Sequence, residues 1–290
     1  MTNEMKIVTS GAALGADVWN VKLGEIDDAT FGQIYQAWLD HNGVLRFPCQ
    51  NLDDDKFLAF ASRFGELDMA PINANGKYWK PEYPQLAVIS NVTVDGLPIG
   101  SLGSYESKWH TDMSYNELPP KASILHAIEL PLEGGDTGYA STAAAYDALS
   151  DEKKERISGL TCKHDSSHNS VGQVRKGFQE AYENRDDVPG AVHPLVAEHP
   201  ETGRKVIYLG RRARAFIREL PQVESDALLD ELFTHITQPQ FTWTQKWRLG
   251  DVVVWDNRCT LHRRDALDPD DRRLLHRAQI KDAKRMSAAA

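Results

Sequence analysis

The stretch VVVWDNRCTLH, residues 252–262, carries the clearest structural signal of the chain. Its apolar run Val252–Trp255 predicts a buried strand, and a polar turn then returns the chain to His262. This places His262 at a strand edge, where ligands often lie. A core histidine with satisfied hydrogen bonds fits the same pattern.

Working outward from this stretch, short apolar runs alternate with amphipathic segments. The runs predict strands at Val44–Phe47, Leu86–Val92, Val206–Leu209 and Leu274–Ile280. The segments predict a helix capped by Asp27 or Asp28, a helix over Asp53–Phe64, and a helix capped by Ser225. We therefore expect a mainly β core with flanking helices. Periodicity alone does not distinguish a barrel from an α/β sandwich.

Composition bounds the domain organisation and the partners. The chain has 290 residues, of which 41% are hydrophobic and 26% charged, and neither an internal repeat nor a linker is visible. These features predict a single domain over residues 1–285 and a disordered tail over 286–290. The formal net charge of -9 argues against nucleic acid or an anionic membrane as a partner.

Cysteine usage and hydropathy indicate the compartment. Cys49, Cys162 and Cys259 are odd in number and widely spaced, so neither a disulfide framework nor a zinc pair is expected. The N-terminus lacks the apolar stretch of a signal peptide, and no segment has the length and apolarity of a membrane span. The simplest setting is a cytoplasmic protein.

A long polar segment, Thr161–Val192, has weak periodicity. Loops of this length inside a compact domain are usually functional lids or disordered. Its histidines, His164 and His168, are expected to be exposed loop residues. A substrate contact is the alternative for both.

His110-Thr111-Asp112 is the first chemical signal. In an extended strand, residues i and i+2 point to the same face, so imidazole and carboxylate would converge. Two histidines and one carboxylate on one face of Fe(II) leave positions open for a cosubstrate and O₂. Taken alone, the pair fits equally a surface histidine beside a solvated aspartate.

A basic stretch follows His262. Arg272, Arg273 and Arg277 lie close behind it, and a returning strand could bring Arg273 near the metal. Guanidinium offers a planar fork that suits a carboxylate. A solvated basic stretch is the alternative, and for Arg272 it is the preferred one.

These motifs together resemble the taurine and 2,4-dichlorophenoxyacetate dioxygenases, and the resemblance runs from about Gly11 to about Lys281. It rests on Trp-His-Thr-Asp at 109–112, Gly-Gly-Asp-Thr at 134–137, Ala-Ala-Tyr-Asp-Ala-Leu at 144–149, Trp-Asp-Asn-Arg at 255–258 with His262, and Arg-Arg-x-x-x-Arg at 272–277.

The resemblance implies a double-stranded β-helix, or jelly roll, with helices packed outside. It implies that His110, Asp112 and His262 are the ligands of Fe(II). It further implies that Thr137 and Arg273 bind the distal carboxylate of 2-oxoglutarate. Arg277 matches a second arginine that reaches toward the substrate anion or the cosubstrate. A turn residue closing Gly134–Asp136 is the alternative for Thr137.

The implied reaction couples O₂ and 2-oxoglutarate to hydroxylation of a small anionic substrate, with release of succinate and CO₂. Candidate substrates are aryloxyalkanoates, sulfonates, sulfate esters and phosphonates. The taurine enzymes carry His and Tyr where ungapped matching puts Ala70 and Asn73, so taurine itself is not expected. The stretch Ile89–Val92 is nearer to the phenoxyacetate branch.

Other outcomes stay open. The same iron chemistry can give desaturation, cyclisation or epimerisation, which the sequence does not separate from hydroxylation. A non-catalytic binding protein predicts the loss of a ligand or of the cosubstrate arginine, and all are present here. A zinc hydrolase leaves Arg273 and Thr137 without a purpose. The resemblance also implies self-association into a homo-oligomer.

Overall fold

The computed structural model describes residues 4–73, 75–179 and 182–289. Its strands, in chain order, are β1 (Lys6–Thr9), β2 (Ala16–Trp19), β3 (Val44–Phe47), β4 (Ala87–Ser90), β5 (Thr93–Val94), β6 (Leu97–Pro98), β7 (Ser101–Leu102), β8 (Ser107–His110), β9 (Ala122–Glu129), β10 (Thr137–Ser141), β11 (Thr161–Lys163), β12 (Val192–Pro194), β13 (Val196–Glu198), β14 (Lys205–Ile207), β15 (Phe216–Ile217), β16 (Thr242–Gln245), β17 (Val252–Asp256), β18 (Thr260–Arg264), β19 (Leu274–Ile280) and β20 (Ser287–Ala288). Its α-helices are α1 (Asp28–Asp40), α2 (Asp54–Ser62), α3 (Thr142–Asp147), α4 (Asp151–Ile157) and α5 (Gln222–Ile236).

Two sheets that face each other form the core. Over the described ranges, the larger sheet has the order β1-β2-β3-β17-β9-β19-β4-β7 and the smaller has the order β16-β10-β18-β8. Strands that lie side by side are mostly distant in sequence, which is typical of a jelly-roll connection. The sheets form the double-stranded β-helix that the resemblance implies.

The alternation of residues along β17 shows how the sheet is buried on both faces. Val252 and Val254 pack with the aromatic residues of α1 and α2 on the outer face. Val253 and Trp255 belong to the cluster between the two sheets. Because the side-chain period of a strand is two, one apolar run supplies both layers.

Two of the helix starts agree with the sequence. Asp27 caps α1 through the backbone N–H of Thr30, and Asp53 caps α2 through that of Lys56. The predicted cap of α5 is wrong, because this helix begins at Gln222. Ser225 is buried inside it, and its Oγ accepts a hydrogen bond from the backbone N–H of Ile217, 2.8 Å away.

The C-terminal residues also differ from the prediction of a disordered tail. Ser287–Ala288 form β20, which pairs antiparallel with β13. Met286 is buried against Val206, Tyr208 and their neighbours. One apolar side chain therefore anchors a segment whose composition indicates disorder. Ala290 lies outside the described residues.

The long polar segment lies over one end of the fold. Its flanking strands β11 and β12 pair with each other, so the chain between them leaves the sheet and returns to it as one long loop. This loop is here called the cover segment (164–179 and 182–191). The carbonyl of Ser170 accepts a hydrogen bond from the backbone N–H of Lys108 in β8, 3.0 Å away. The cover segment is thus fastened beside His110. His164 is buried instead of exposed, because its ring stacks on Tyr208.

Candidate metal centre and cosubstrate site

His110, Asp112 and His262 come together at one end of the smaller sheet. His110 is the last residue of β8, and the pairing of β18 with β8 places His262 directly opposite it. The ligand atoms of the three side chains all lie within 4.8 Å of one another, and all three residues are buried. Both imidazole Nε2 atoms are 3.8 Å from Asp112 Oδ1.

Asp112 reaches this cluster by a turn, which corrects the prediction of a continuous strand. β8 ends at His110, and the next residues form a turn in which Met113 has φ of 47°. Thr111 Oγ1 donates a hydrogen bond to the carbonyl of Asn257, 2.8 Å away. The turn therefore places the carboxylate beside both imidazoles.

The two imidazoles are held in the neutral state that metal ligation requires. His110 Nδ1 donates to the carbonyl of Lys108, 2.7 Å away, which leaves Nε2 free to face Asp112. Burial lowers the pKa of His110 well below its ordinary value, and it lowers the pKa of His262 to about 4. The ring of His262 packs 4.8 Å from that of Trp255.

Asp112 is held in the ionised state. Burial raises its pKa, but the Arg277 guanidinium and the two imidazoles lower it by more, so that it falls below the ordinary range. Arg277 Nη1 lies 3.6 Å from Asp112 Oδ1. Ser123 Oγ donates to Asp112 Oδ2 at 2.8 Å. The three candidate ligands are therefore two neutral imidazoles and one ionised carboxylate.

A hydrogen-bond network behind Asp112 fixes its orientation. Gln279 Nε2 donates to Asp112 Oδ2 at 3.2 Å. Asn257 Nδ2 donates to Ser123 Oγ at 3.0 Å, and Trp255 Nε1 donates to Asn257 Oδ1 at 2.9 Å. Sequence reasoning missed Ser123 and Gln279. A signal for Gln279 was present, because it lies two residues beyond Arg277 in a predicted strand and so faces the same side.

Arg273 enters the same cavity from the larger sheet. It precedes β19 and lies on the face that Arg277 and Gln279 share. Its side chain is 2% exposed, its Nε has no hydrogen-bond partner in the described part of the chain, and burial lowers its pKa to about 9. Arg272, the next residue back, is exposed and pairs with Glu129 at 2.8 Å, as the sequence predicts.

The Gly134-Gly135 turn makes room for Arg273. Gly135 has φ of +67°, and a Cβ added there would lie 2.9 Å from both Cδ and Nε of Arg273. Thr137 follows at the start of β10 and is buried. Its Oγ1 accepts a hydrogen bond from Trp247 Nε1, 3.0 Å away, so Thr137 is more than a turn residue.

The six residues to which the resemblance gives a role in binding iron, cosubstrate or substrate all line one cavity of about 240 Å³. Further apolar lining comes from Ile89, Leu125 and Trp255. Sequence reasoning did not identify the remaining charged lining residues, which are Arg175, Arg211 and Arg264. Among the described lining residues, Asp112 is the sole acidic one. The cavity therefore has an apolar lining together with charged side chains that are mostly positive.

A second buried group, His199, Asp256 and Cys259, also has potential metal-ligand atoms close together. The ligand atoms of His199 and Asp256 already take part in hydrogen bonds and an ion pair. His199 Nε2 donates to Asp256 Oδ2 at 3.0 Å, and Arg258 forms a bidentate pair with the same carboxylate. This group is a satisfied structural network.

Two histidines, one carboxylate and a buried arginine around one cavity of a double-stranded β-helix define the class of 2-oxoglutarate-dependent dioxygenases. The model of the family described as taurine catabolism dioxygenase TauD, TfdA family matches residues 7–279, and the chain belongs to this family. The fold and family that the sequence predicts are confirmed.

Characterised relatives and solved structures agree with this assignment. The chain is 37% identical over 246 residues to the alpha-ketoglutarate-dependent 2,4-dichlorophenoxyacetate dioxygenase of Burkholderia sp. (strain RASC), covering 83% of this chain and 82% of the relative. It is 35% identical over 292 residues to the (S)-phenoxypropionate/alpha-ketoglutarate-dioxygenase of Sphingobium herbicidovorans, covering 97% and 96%. A crystal structure of AAD-2 in complex with Mn(II) and N-oxalylglycine superimposes with a TM-score of 0.80 at 30% identity, covering 98% of this chain and 99% of that one.

The protein is therefore an enzyme, a dioxygenase that uses a metal ion and 2-oxoglutarate to oxidise a small organic molecule. No helix within the described ranges has the length and apolarity needed to cross a membrane.

Proposed function

We propose that His110, Asp112 and His262 hold Fe(II) on one face of the cavity. The observation that supports this proposal is a buried donor set of two neutral imidazoles and one ionised carboxylate, with all ligand atoms within 4.8 Å. This set suits non-haem Fe(II) and leaves coordination positions open on the cavity side. When bound, the iron supplies O₂ activation, coupled to conversion of 2-oxoglutarate into succinate and CO₂ and to hydroxylation of the substrate.

Arg273 and Thr137 bind the distal carboxylate of 2-oxoglutarate in this proposal. Arg273 is a buried cation that forms no ion pair within the described residues, and such a charge is costly unless an anion accompanies it. Its lowered pKa of about 9 still leaves it protonated at neutral pH. Thr137 Oγ1 already accepts from Trp247, so its hydroxyl proton is free to donate to the carboxylate.

The substrate is a small organic anion in this proposal. Five arginines line the cavity against a single described carboxylate, so the site retains positive charge after a dianionic cosubstrate and a divalent ion have bound. The characterised relatives named above oxidise 2,4-dichlorophenoxyacetate and phenoxypropionate, which are aryloxyalkanoates. Sulfonates, sulfate esters and phosphonates present the same charge. Arg277 is oriented by Asp112 and faces either the substrate anion or the cosubstrate.

Three further features belong to the same proposal. The enzyme acts as one domain, since β2 near the N-terminus and β19 near the C-terminus share a sheet. It works in a reducing cytoplasm, a placement that its three free cysteines support. It self-associates, which size-exclusion chromatography tests.

Arg273→Gln tests the cosubstrate assignment, and Arg272→Gln is the matched control. We expect Arg273→Gln to raise the 2-oxoglutarate concentration required for half-maximal turnover by roughly 10- to 100-fold, because a charge-assisted hydrogen-bonded pair is lost. The substrate requirement should change far less. Arg272→Gln removes only a surface ion pair and should leave both requirements unchanged.

Equal 2-oxoglutarate requirements in Arg273→Gln and the wild type would contradict the assignment. A selective rise in Arg277→Gln instead would move the role to Arg277.

A further inference from the structure

A second group of cations lies at the cover-segment side of the cavity. The guanidinium carbon of Arg175 lies 4.9 Å from the centre of the Tyr115 ring, and that of Arg211 lies 5.2 Å from the same centre. Three separate stretches supply these residues. Arg175 comes from the cover segment, Arg211 from the loop after β14, and Tyr115 from the turn that carries Asp112.

These two arginines have no counter-charge of their own. Neither forms an ion pair within the described residues. Arg211 Nη1 donates to the carbonyl of His168 at 3.0 Å, Arg175 Nη1 donates to the carbonyl of Ser166 at 3.2 Å, and Arg211 is also hydrogen-bonded to the Tyr115 side chain. Arg211 Nε is buried and has no hydrogen-bond partner in the described ranges. Burial lowers the pKa of Arg211 and the charge of Arg175 adds to this, whereas Tyr115 and the Asp112 carboxylate act in the opposite direction. Two guanidinium groups beside one aromatic ring, one of them with an unused buried donor, indicate a place for an anion next to them.

The backbone fixes Arg211 close to the metal-ligand turn. A Cβ added at Gly210 would lie 2.1 Å from Ser114 Oγ and 2.6 Å from His164 Nδ1, so the loop packs tightly on that turn. Arg211 and His110 line the same cavity. Arg273, in contrast, is held beside the Gly135 turn. The two cationic groups occupy different walls of one cavity.

We propose that Arg211 and Arg175, with Tyr115, form the subsite that binds the oxyanion of the substrate, a carboxylate, sulfonate, sulfate or phosphonate. This inference rests on the proposed function, because it leaves the Arg273 wall to 2-oxoglutarate. Arg277 Nη1 lies 3.6 Å from Asp112 Oδ1 and is partly neutralised by it, so this subsite adds two cations that no carboxylate pairs with in the described residues. An anion in this subsite joins the cover segment to the loop that packs on the Asp112 turn.

Binding measurements without turnover test the subsite. The protein is loaded with Fe(II) and 2-oxoglutarate under anaerobic conditions and titrated calorimetrically with phenoxyacetate, hexyl sulfate and phenylphosphonate, and with the neutral phenoxyethanol. We expect Arg211→Gln and Arg175→Gln to raise the Kd of the anion that binds the wild type most tightly by roughly 10- to 100-fold. The Kd of phenoxyethanol and that of 2-oxoglutarate should not change. The exposed Arg248→Gln is the matched control and should behave as the wild type.

Arg211→Lys separates charge from folding, because it keeps the cation and should retain more affinity for the anion than Arg211→Gln does. Equal losses for the anion and for phenoxyethanol, a loss of 2-oxoglutarate binding in Arg211→Gln, or a loss confined to Arg277→Gln would each overturn the inference. So would a wild-type complex that binds 2-oxoglutarate but none of the three anions. Failure of the wild type to bind 2-oxoglutarate would overturn the proposed function, and this inference with it.

Discussion

Arg272 and Arg273 are neighbours in the chain and lie in opposite environments. Arg272 points to solvent and pairs with Glu129, whereas Arg273 is enclosed beside Gly135, and its Nε has no partner among the residues that the structure describes. Neighbouring side chains point to opposite faces of an extended chain, and this alternation separates an arginine in a surface ion pair from a buried arginine that we propose binds an anion. One register step at this point would exchange the two roles.

Gly135→Ala tests whether the close approach to Arg273 matters. The added methyl group would lie 2.9 Å from Arg273 Cδ and Nε, so the guanidinium must shift and the 2-oxoglutarate requirement should rise by roughly tenfold. Gly159→Ala is the matched control, since Gly159 has a similar φ of +72° but open space around its Cα. A kinetic comparison of the two variants that shows equal 2-oxoglutarate requirements would refute the role of Gly135.

The residues that we propose hold the metal and 2-oxoglutarate could be predicted to lie together, and the residues that support them mostly could not. Short sequence motifs contain His110, Asp112, His262 and Arg273, and the residue types and spacing of these motifs indicate metal and anion binding without knowledge of the fold. Ser123 reaches Asp112 from the other sheet, since β9 belongs to the larger sheet and Asp112 follows β8 of the smaller one, and no local pattern specifies how the two sheets pack. Arg211 was missed for the same reason, since its significance comes from Arg175 and Tyr115.

Strand β19 contributes side chains to both faces of the larger sheet. Its inward residues face the cavity, while His276 points outward to α2, where its Nδ1 lies 2.9 Å from Asp54 Oδ1. Burial lowers the pKa of His276 to about 4, and the nearby Asp54 carboxylate offsets only part of this effect. The strand that carries the arginines is therefore also a contact of α2.

The lowered pKa of His276 predicts a pH dependence of stability. Between the ordinary histidine pKa of about 6.5 and the folded value of about 4, the unfolded chain binds a proton at this residue and the folded chain does not. The free energy of unfolding should therefore fall as pH falls through this window. His276→Gln should give a shallower fall in chemical denaturation at a series of pH values. An identical slope in the variant and the wild type would show that His276 does not contribute.

Elements with a strong local signal were predictable, and their ends were less so. Val44–Phe47 and Leu274–Ile280 match the predicted strands residue for residue. The start of α5 was misplaced, because Ser225 uses its hydroxyl on β15 instead of capping the helix. The strand predicted through Asp112 ends at His110, because the chain turns from Asp112 onward.

The two ends of the chain both add strands to the periphery of the fold. β1 forms the edge of the larger sheet, and β20 pairs with β13, with Met286 buried beneath it. The jelly-roll topology itself was predictable only from the order of the motifs, because short strands of this kind pair across long sequence distances. Hydrophobic periodicity indicated a sheet core and left its connection undetermined.

Met286→Ala tests whether the C-terminal segment belongs to the folded unit. Met286 is 7% exposed, so its truncation should lower the free energy of unfolding by about 2 kcal/mol through lost burial and a residual cavity. Met69, which is 45% exposed, provides the control, and Met69→Ala should cost less than about 0.5 kcal/mol. Equal stabilities of the two variants in urea denaturation would show that the segment is a loose tail.

The central claim is that His110, Asp112 and His262 hold iron in a position where 2-oxoglutarate can chelate it. The most direct test adds Fe(II) and 2-oxoglutarate to the anaerobic apoprotein and records the visible charge-transfer absorption of the chelate. The wild type and Arg272→Gln should both develop this absorption, and His262→Ala should not. Equal absorption in His262→Ala, or none in a wild type shown to contain iron, would contradict the account.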